Sequence, residues 1–293
     1  MGGSKFVEVM LKFSEIFGLW PSWNRNRHFF VVLAMIVNIL DALPKAYYFC
    51  NMERPNMTIS GKFLEIMRNS VSKAVLIIHA YHVVYRRRDF AILNRLLKEP
   101  KFKNINYRIF VCGISPFFWR VAMILWLDIK CGVYLDLMVT LSFTFFNSLE
   151  FLIAVQFCAS LVVISDLLAK IVDSMDLQIF EFELFDKTVA LCEKIDNLYG
   201  LQLLLITSQI FMMLVTYSLG VVVTFWCISC SEYTYRCPDS TNLLIGYALS
   251  NITCVIYLLT MIVKCCYSTM YQVERFNKSI FKIMKASPSL ANN

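Results

Sequence analysis

Long apolar stretches alternate with short charged ones along this chain. The stretch 199–226 contains no Asp, Glu, Lys, Arg or His. A helix needs about 20 mostly apolar residues to cross the hydrocarbon core of a bilayer. An uncharged run of this length is more typical of a membrane span than of a soluble core helix. The pattern therefore predicts that residues 199–226 cross a membrane.

The same pattern predicts six spans in all. Because backbone groups in lipid must bond internally, each span is a helix or a barrel strand, and the absence of period-2 alternation favours helices. Glu65, Arg68 and Lys73 in the second span are expected to face protein or water, since charges avoid lipid. The spans are 28–49, 61–85, 109–127, 133–164, 199–226 and 243–263.

The distribution of Lys and Arg predicts the orientation of these spans. Basic residues concentrate in residues 1–27, 86–108, 166–198 and 264–293, which all lie on one side of the membrane if there are six spans. Cytoplasmic loops are rich in Lys and Arg, so both termini are expected to be cytoplasmic. The opposite side holds only Arg54, Lys62, Lys130 and Arg236.

The predicted fold is therefore all-α: a polytopic helical membrane protein with a cytoplasmic N-terminus. Residues 1–27 form a cytoplasmic segment, 28–263 a six-helix transmembrane bundle that includes a cytoplasmic link at 166–198, and 264–293 a cytoplasmic tail. Apolar residues continue at helical spacing through the link, which indicates a helical hairpin. It is either a solvated hairpin or a packing module that contacts other subunits. The apolar positions are Leu167, Leu168, Ile171, Val172, Met175, Leu184, Leu191, Ile195 and Leu198.

Composition agrees with a membrane protein. The chain is 58% hydrophobic and 17% charged, with a mean hydropathy of +0.59, whereas soluble domains are about 45–50% apolar and 25% charged. The net charge is +7, and the basic residues that produce it lie between the apolar stretches. Membrane proteins carry basic loops at such positions, so this charge does not indicate a nucleic-acid partner. The 11 cysteines leave disulfide pairing open.

No motif in the sequence indicates an enzyme. There is no G-x-S-x-G, Gly-rich phosphate loop or H-E-x-x-H motif. His79 and His82 share a helical face, but two ligands are fewer than the three or four that a metal site requires. We therefore expect no catalytic residue, cofactor or metal.

Two charged residues in predicted spans and one glycosylation motif are further candidates. Arg120 lies midway along the third span and Glu150 midway along the fourth, so they are expected to form a buried charge pair. This pair either holds the bundle together or marks a polar point in a ligand cavity. Asn56 begins an Asn-Met-Thr acceptor motif for glycosylation, in a loop expected to lie outside.

The order of these features resembles that of insect gustatory receptors. The resemblance rests on the inward N-terminus, the basic second link, the acidic link at 166–198, the run IDNLYGLQLLL at 195–205, and residues 265–278 after the sixth span. It implies a seven-helix receptor that acts as a ligand-gated cation channel, assembled as a homo- or hetero-tetramer. It also implies a seventh, pore-forming helix with a Thr-Tyr, five apolar residues, Gln-Phe pattern, which these 293 residues do not contain. The sequence is thus expected to be truncated before the pore helix.

From the resemblance we expect a plasma-membrane receptor that recognises small tastants between the outer halves of its helices. Aromatic walls with a few polar groups suit small organic ligands, although each lining candidate also fits ordinary helix packing. The competing class is a transporter of small organic solutes, for which internal repeats or Gly/Pro-broken helices would be typical. The ligand-binding candidates are Trp126, Phe143, Phe146, Tyr217, Phe225, Tyr247 and Asn251.

Overall fold

The computed structural model describes residues 32, 36, 59–97, 118–119, 122–123, 126, 134–176, 182–227 and 240–286. Within these residues every element is an α-helix, which confirms the all-α prediction. The five continuous helices are α1 (Ile59–Tyr85), α2 (Arg87–Leu97), α3 (Tyr134–Asp176), α4 (Phe182–Cys227) and α5 (Ser240–Ala286).

Three of these helices are long and apolar enough to cross a membrane. Their candidate segments are Leu149–Met175 in α3, Glu183–Leu219 in α4 and Ala248–Ile283 in α5. The helices have 43, 46 and 47 residues, and at 1.5 Å per residue each is about 65–70 Å long. Because a hydrocarbon core is about 30 Å thick, each helix is long enough to continue well beyond a bilayer. Six spans were predicted, and three are found among the described residues.

Contacts between side chains define the order in which the helices pack. His79 of α1 meets Gln202 of α4, and Arg68 meets Tyr217 farther along, so these two helices run antiparallel. Ser165 of α3 meets Ser268 of α5, and α3 and α5 run parallel. Helix α3 lies at the centre, since it packs against the other four helices.

The central position of α3 explains its burial. All residues from 149 to 160 are buried, including the polar Glu150, Gln156 and Ser160. The hydroxyls that face outward on α4 and α5 donate to the carbonyl four residues earlier, which satisfies them without a partner helix. These are Thr207, Ser208, Thr253 and Thr260.

The link between the fourth and fifth predicted spans is a helical hairpin, as its apolar spacing predicted. Helix α3 extends to Asp176 and α4 begins at Phe182. Ile171, Val172 and Met175 are buried there with Phe276 of α5. Residues 264–286, which were expected only to form a tail, continue α5 as a helix and pack on this hairpin.

Candidate functional site

The bundle encloses a set of polar side chains that we call the buried polar core. Each member exposes at most 6% of its surface. Polar and ionisable residues inside membrane helices are expensive and face the bundle interior, so their number here indicates a structural or functional requirement. The members are Arg68, Ser72, Lys73, His79, Glu150, Gln156, Ser160, Gln202, Gln209 and Asn251.

The packing of α1 on α4, and of α3 on α5, places several of these residues at similar heights along the bundle. Lys73 on α1 and Gln209 on α4 both lie between the His79–Gln202 and Arg68–Tyr217 contacts. On the other pair of helices, Glu150 and Asn251 each lie about four to five turns before the Ser165–Ser268 contact. The core therefore extends across several helices, not along one.

A hydrogen-bond network joins α1 to α4 at one end of this core. His79 Nδ1 lies 3.1 Å from the side-chain amide oxygen of Gln202. His82 Nδ1 lies 3.0 Å from the carbonyl oxygen of Leu198 and 3.1 Å from the amide nitrogen of Gln202. The carbonyl can only accept, so His82 Nδ1 must carry a proton and cannot also accept from the amide.

Donors and acceptors all match when the Gln202 amide is turned by 180°. His82 then donates its Nδ1 proton to the oxygens of Leu198 and Gln202, and the Gln202 NH₂ donates to Nδ1 of His79. In this assignment Nδ1 carries a proton on His82 and none on His79. One amide thereby joins two histidines on successive turns of α1 to α4.

Aromatic rings surround the network. The His79 ring lies 5.8 Å from that of Phe90 and 6.1 Å from that of Tyr199, between centroids. Phe157 of α3 also contacts Tyr199 at 5.9 Å. The Tyr199 hydroxyl is buried and has no hydrogen-bond partner among the described residues. The polar contacts of the network therefore lie against a wall of aromatic rings.

A second contact lies nearer the beginning of α1. The guanidinium carbon of Arg68 lies 5.9 Å from the centroid of the Tyr217 ring on α4, within the range of a cation–π interaction. Arg68 is buried and Tyr217 is half-buried. Arg68 and Lys73 thus face protein, as was predicted for charges in the second span.

The structure assigns different surroundings to the predicted ligand-binding residues. Asn251 belongs to the buried polar core, and Tyr217 contacts Arg68 at its edge. Trp126 exposes 46% of its surface. The side chains of Phe143, Phe146, Phe225 and Tyr247 lie outside the described residues.

The structure describes only one member of the predicted charge pair. Glu150 is buried, while Arg120 and the glycosylation candidate Asn56 lie outside the described residues. Trp119, next to Arg120 in sequence, donates from Nε1 to Ser250 Oγ at 2.7 Å. This contact places Trp119 against Ser250 of α5.

An apolar groove of about 630 Å³ lies between α3 and the later part of α5. None of the predicted ligand-binding residues lines it. Phe157 and Leu161 line it from α3, and Tyr267, Met270 and Glu274 are among the residues that line it from α5. Among the described residues, no group of three or more His, Cys, Asp or Glu side chains is arranged to hold a metal ion.

Sequence reasoning did not include the glutamines of the core. Gln202 and Gln209 are polar positions seven residues apart in an uncharged span, so they share a helical face. That spacing was a usable signal. Gln156 is a further polar position in an apolar stretch of α3, six residues beyond Glu150.

The chain matches no protein-family model, and neither a characterised protein nor a solved structure is similar to it at a significant level.

Proposed function

We propose that this chain is a multi-pass receptor subunit of the gustatory type in the plasma membrane. It recognises small organic tastants and acts in a homo- or hetero-tetrameric, ligand-gated cation channel. The observation that carries the proposal is the buried polar core, whose members lie on α1 and on the three helices that are apolar enough to cross a membrane. Ionisable residues inside membrane-spanning bundles mark ligand and ion pathways.

The bias of basic residues supports a cytoplasmic position for the hairpin between α3 and α4. In this orientation the beginnings of α1, α3 and α5 and the end of α4 form the outer half of the bundle. Arg68, Tyr217 and Asn251 belong to that half. The ends of α3 and α5 and the beginning of α4 form a cytoplasmic module.

The chemistry of the outer half suits a small ligand with a polar or anionic group. Arg68 supplies a fixed positive charge and Tyr217 an aromatic face. Gln209 and Asn251 add amide groups that can both donate and accept. A few polar groups within apolar walls are typical of small-molecule sites.

The test is a dose–response measurement on cells that express the full chain together with receptor subunits that supply a conducting assembly. A panel of sugars, alkaloids and amino acids is applied while cation current is recorded. For a tastant that evokes current, Tyr217→Leu should raise the half-maximal concentration about 10-fold, because the ring that positions the Arg68 guanidinium is lost, and such a contact is worth up to about 2 kcal/mol when desolvated. Tyr217→Phe keeps the ring and should change it little.

Phe211→Leu is the matched control. Phe211 lies on the same helix but exposes 68% of its surface, so its loss should leave the dose–response curve unchanged. Equal effects of the Tyr217→Leu and Phe211→Leu variants would contradict the proposed site. Uptake of an organic solute without any ligand-gated current would instead favour a transporter.

A further inference from the structure

An exposed stripe runs across the end of α1 and along α2. Its two members on α1 are four residues apart and its three members on α2 are four and three residues apart, the spacing of one helical face within each helix. The two helices are joined by a turn at Arg86, where Arg86 N donates to the His82 carbonyl and Phe90 N donates to that of Arg86. The stripe consists of Tyr81, Tyr85, Arg88, Ile92 and Arg95, all of them exposed.

The opposite face fixes α2 on the bundle. Phe90 and Leu93 are buried at 0% and 1% exposure. Phe90 contacts the rings of His79 and Tyr199. The outward direction of the stripe is therefore set by packing in the core.

The charge of this stripe is positive. Asp89 is the only carboxylate of α2, and it lies 3.9 Å from Lys194 of α4, off the stripe. Arg88 and Arg95 thus face outward beside a pair of tyrosine rings whose centroids are 4.4 Å apart. An exposed Ile92 lies between the two arginines in sequence.

We propose that this stripe binds acidic phospholipid headgroups in the leaflet next to the end of α1. Tyrosine is enriched at membrane interfaces, and basic residues beside a membrane helix attract anionic lipids. Guanidinium groups match phosphate in a bidentate geometry, and an apolar residue between them reaches the acyl boundary. The proposal depends on the end of α1 lying at a bilayer surface and not on receptor activity.

The first test measures thermal unfolding of the purified full chain in detergent micelles. Added phosphatidylserine should raise Tm by about 3 °C relative to phosphatidylcholine, because a ligand that binds the folded state stabilises it. The R88Q/R95Q double variant should lose most of this rise. Lys187→Gln, which removes an exposed charge near the beginning of α4 and off the stripe, should keep it. An equal rise in the double variant would overturn the proposal.

The second test needs neither arginine to be changed. A photo-crosslinking phenylalanine analogue replaces Ile92 or, as a control, Val189, each of which exposes 40% of its surface. In vesicles of phosphatidylserine and phosphatidylcholine, position 92 should crosslink to phosphatidylserine and position 189 should not. Crosslinking of position 92 to protein, or equal lipid labelling at both positions, would contradict a lipid-binding stripe.

Discussion

His79 of α1 and Gln202 of α4 meet through an imidazole nitrogen and a side-chain amide 3.1 Å apart, although 123 residues separate them in sequence. Both side chains are fully buried. The same amide reaches His82, one turn farther along α1. A single glutamine therefore bonds to two positions of α1 that lie one turn apart.

Replacing Gln202 with Leu should destabilise the protein by about 1–2 kcal/mol, because two histidines lose their amide partner and His79 is fully buried. In a double-mutant cycle with His79→Leu, the coupling energy should be about 0.6 kcal/mol and at most about 1.7, as for hydrogen bonds between membrane helices. Unfolding in mixed micelles, followed by circular dichroism, measures both values.

Ser208→Ala is the control for this cycle. Its hydroxyl is exposed and bonds only within α4. We expect its effect on the free energy of unfolding to remain within about 0.5 kcal/mol. Additive effects of the His79 and Gln202 variants would show that their contact contributes no coupling.

The predicted pair of Arg120 and Glu150 gives a second test. Glu150 is buried at 4% exposure. If the pair forms, replacing either residue alone with Leu strands a buried charge and should cost about 3–5 kcal/mol. Surface expression, measured by flow cytometry, should fall for each single variant and recover in part for the double variant. The absence of any recovery would argue against the pair.

Phe276 offers a third test, in the cluster that joins α5 to the hairpin of α3 and α4. Its ring stacks on that of Phe185 with centroids 5.0 Å apart, and it exposes 7% of its surface. Phe276→Ala should destabilise the protein by about 3 kcal/mol, the lower part of the range for buried Phe.

Phe281→Ala is the matched control, since Phe281 lies on the same helix with 70% exposure. It should change the free energy of unfolding by no more than about 0.5 kcal/mol. Hydrogen exchange should also become faster in residues 264–286 of the Phe276 variant. Unchanged exchange there would contradict the packing of this part of α5 on the hairpin.

The helical class and the hairpin could be predicted because both follow from local periodicity. Ile171, Val172 and Met175 recur at helical spacing beyond the apolar run, and the structure buries all three. Helix α2 was missed because its many arginines indicated a loop. Phe90 and Leu93, three residues apart among those arginines, were the available signal.

The polar contacts could not be predicted in the same way. His79 and His82 were recognised as sharing a face, but their partner on α4 depends on the register of two distant helices. One residue of slip along α4 would rotate Gln202 away from α1 by about 100°. Register is decided by packing across the whole bundle and not by the residues near the contact.

The position of α4 relative to the membrane gives the last test. The helix spans Phe182–Cys227 and contains a segment apolar enough to cross a bilayer. If it crosses, the connections at its two ends lie on opposite sides. Basic residues at 166–198 outnumber those at 228–239, so the first connection should be cytoplasmic.

An epitope inserted at 177–181 should bind antibody only after cells are permeabilised, whereas one at 228–239 should bind it on intact cells. Both insertions lie between helices, where added residues are tolerated best. A cysteine-free epitope avoids interference from native thiols. Antibody access to both epitopes on intact cells would show that α4 does not cross the membrane, and would remove the topology on which the outer position of Arg68 and Tyr217 depends.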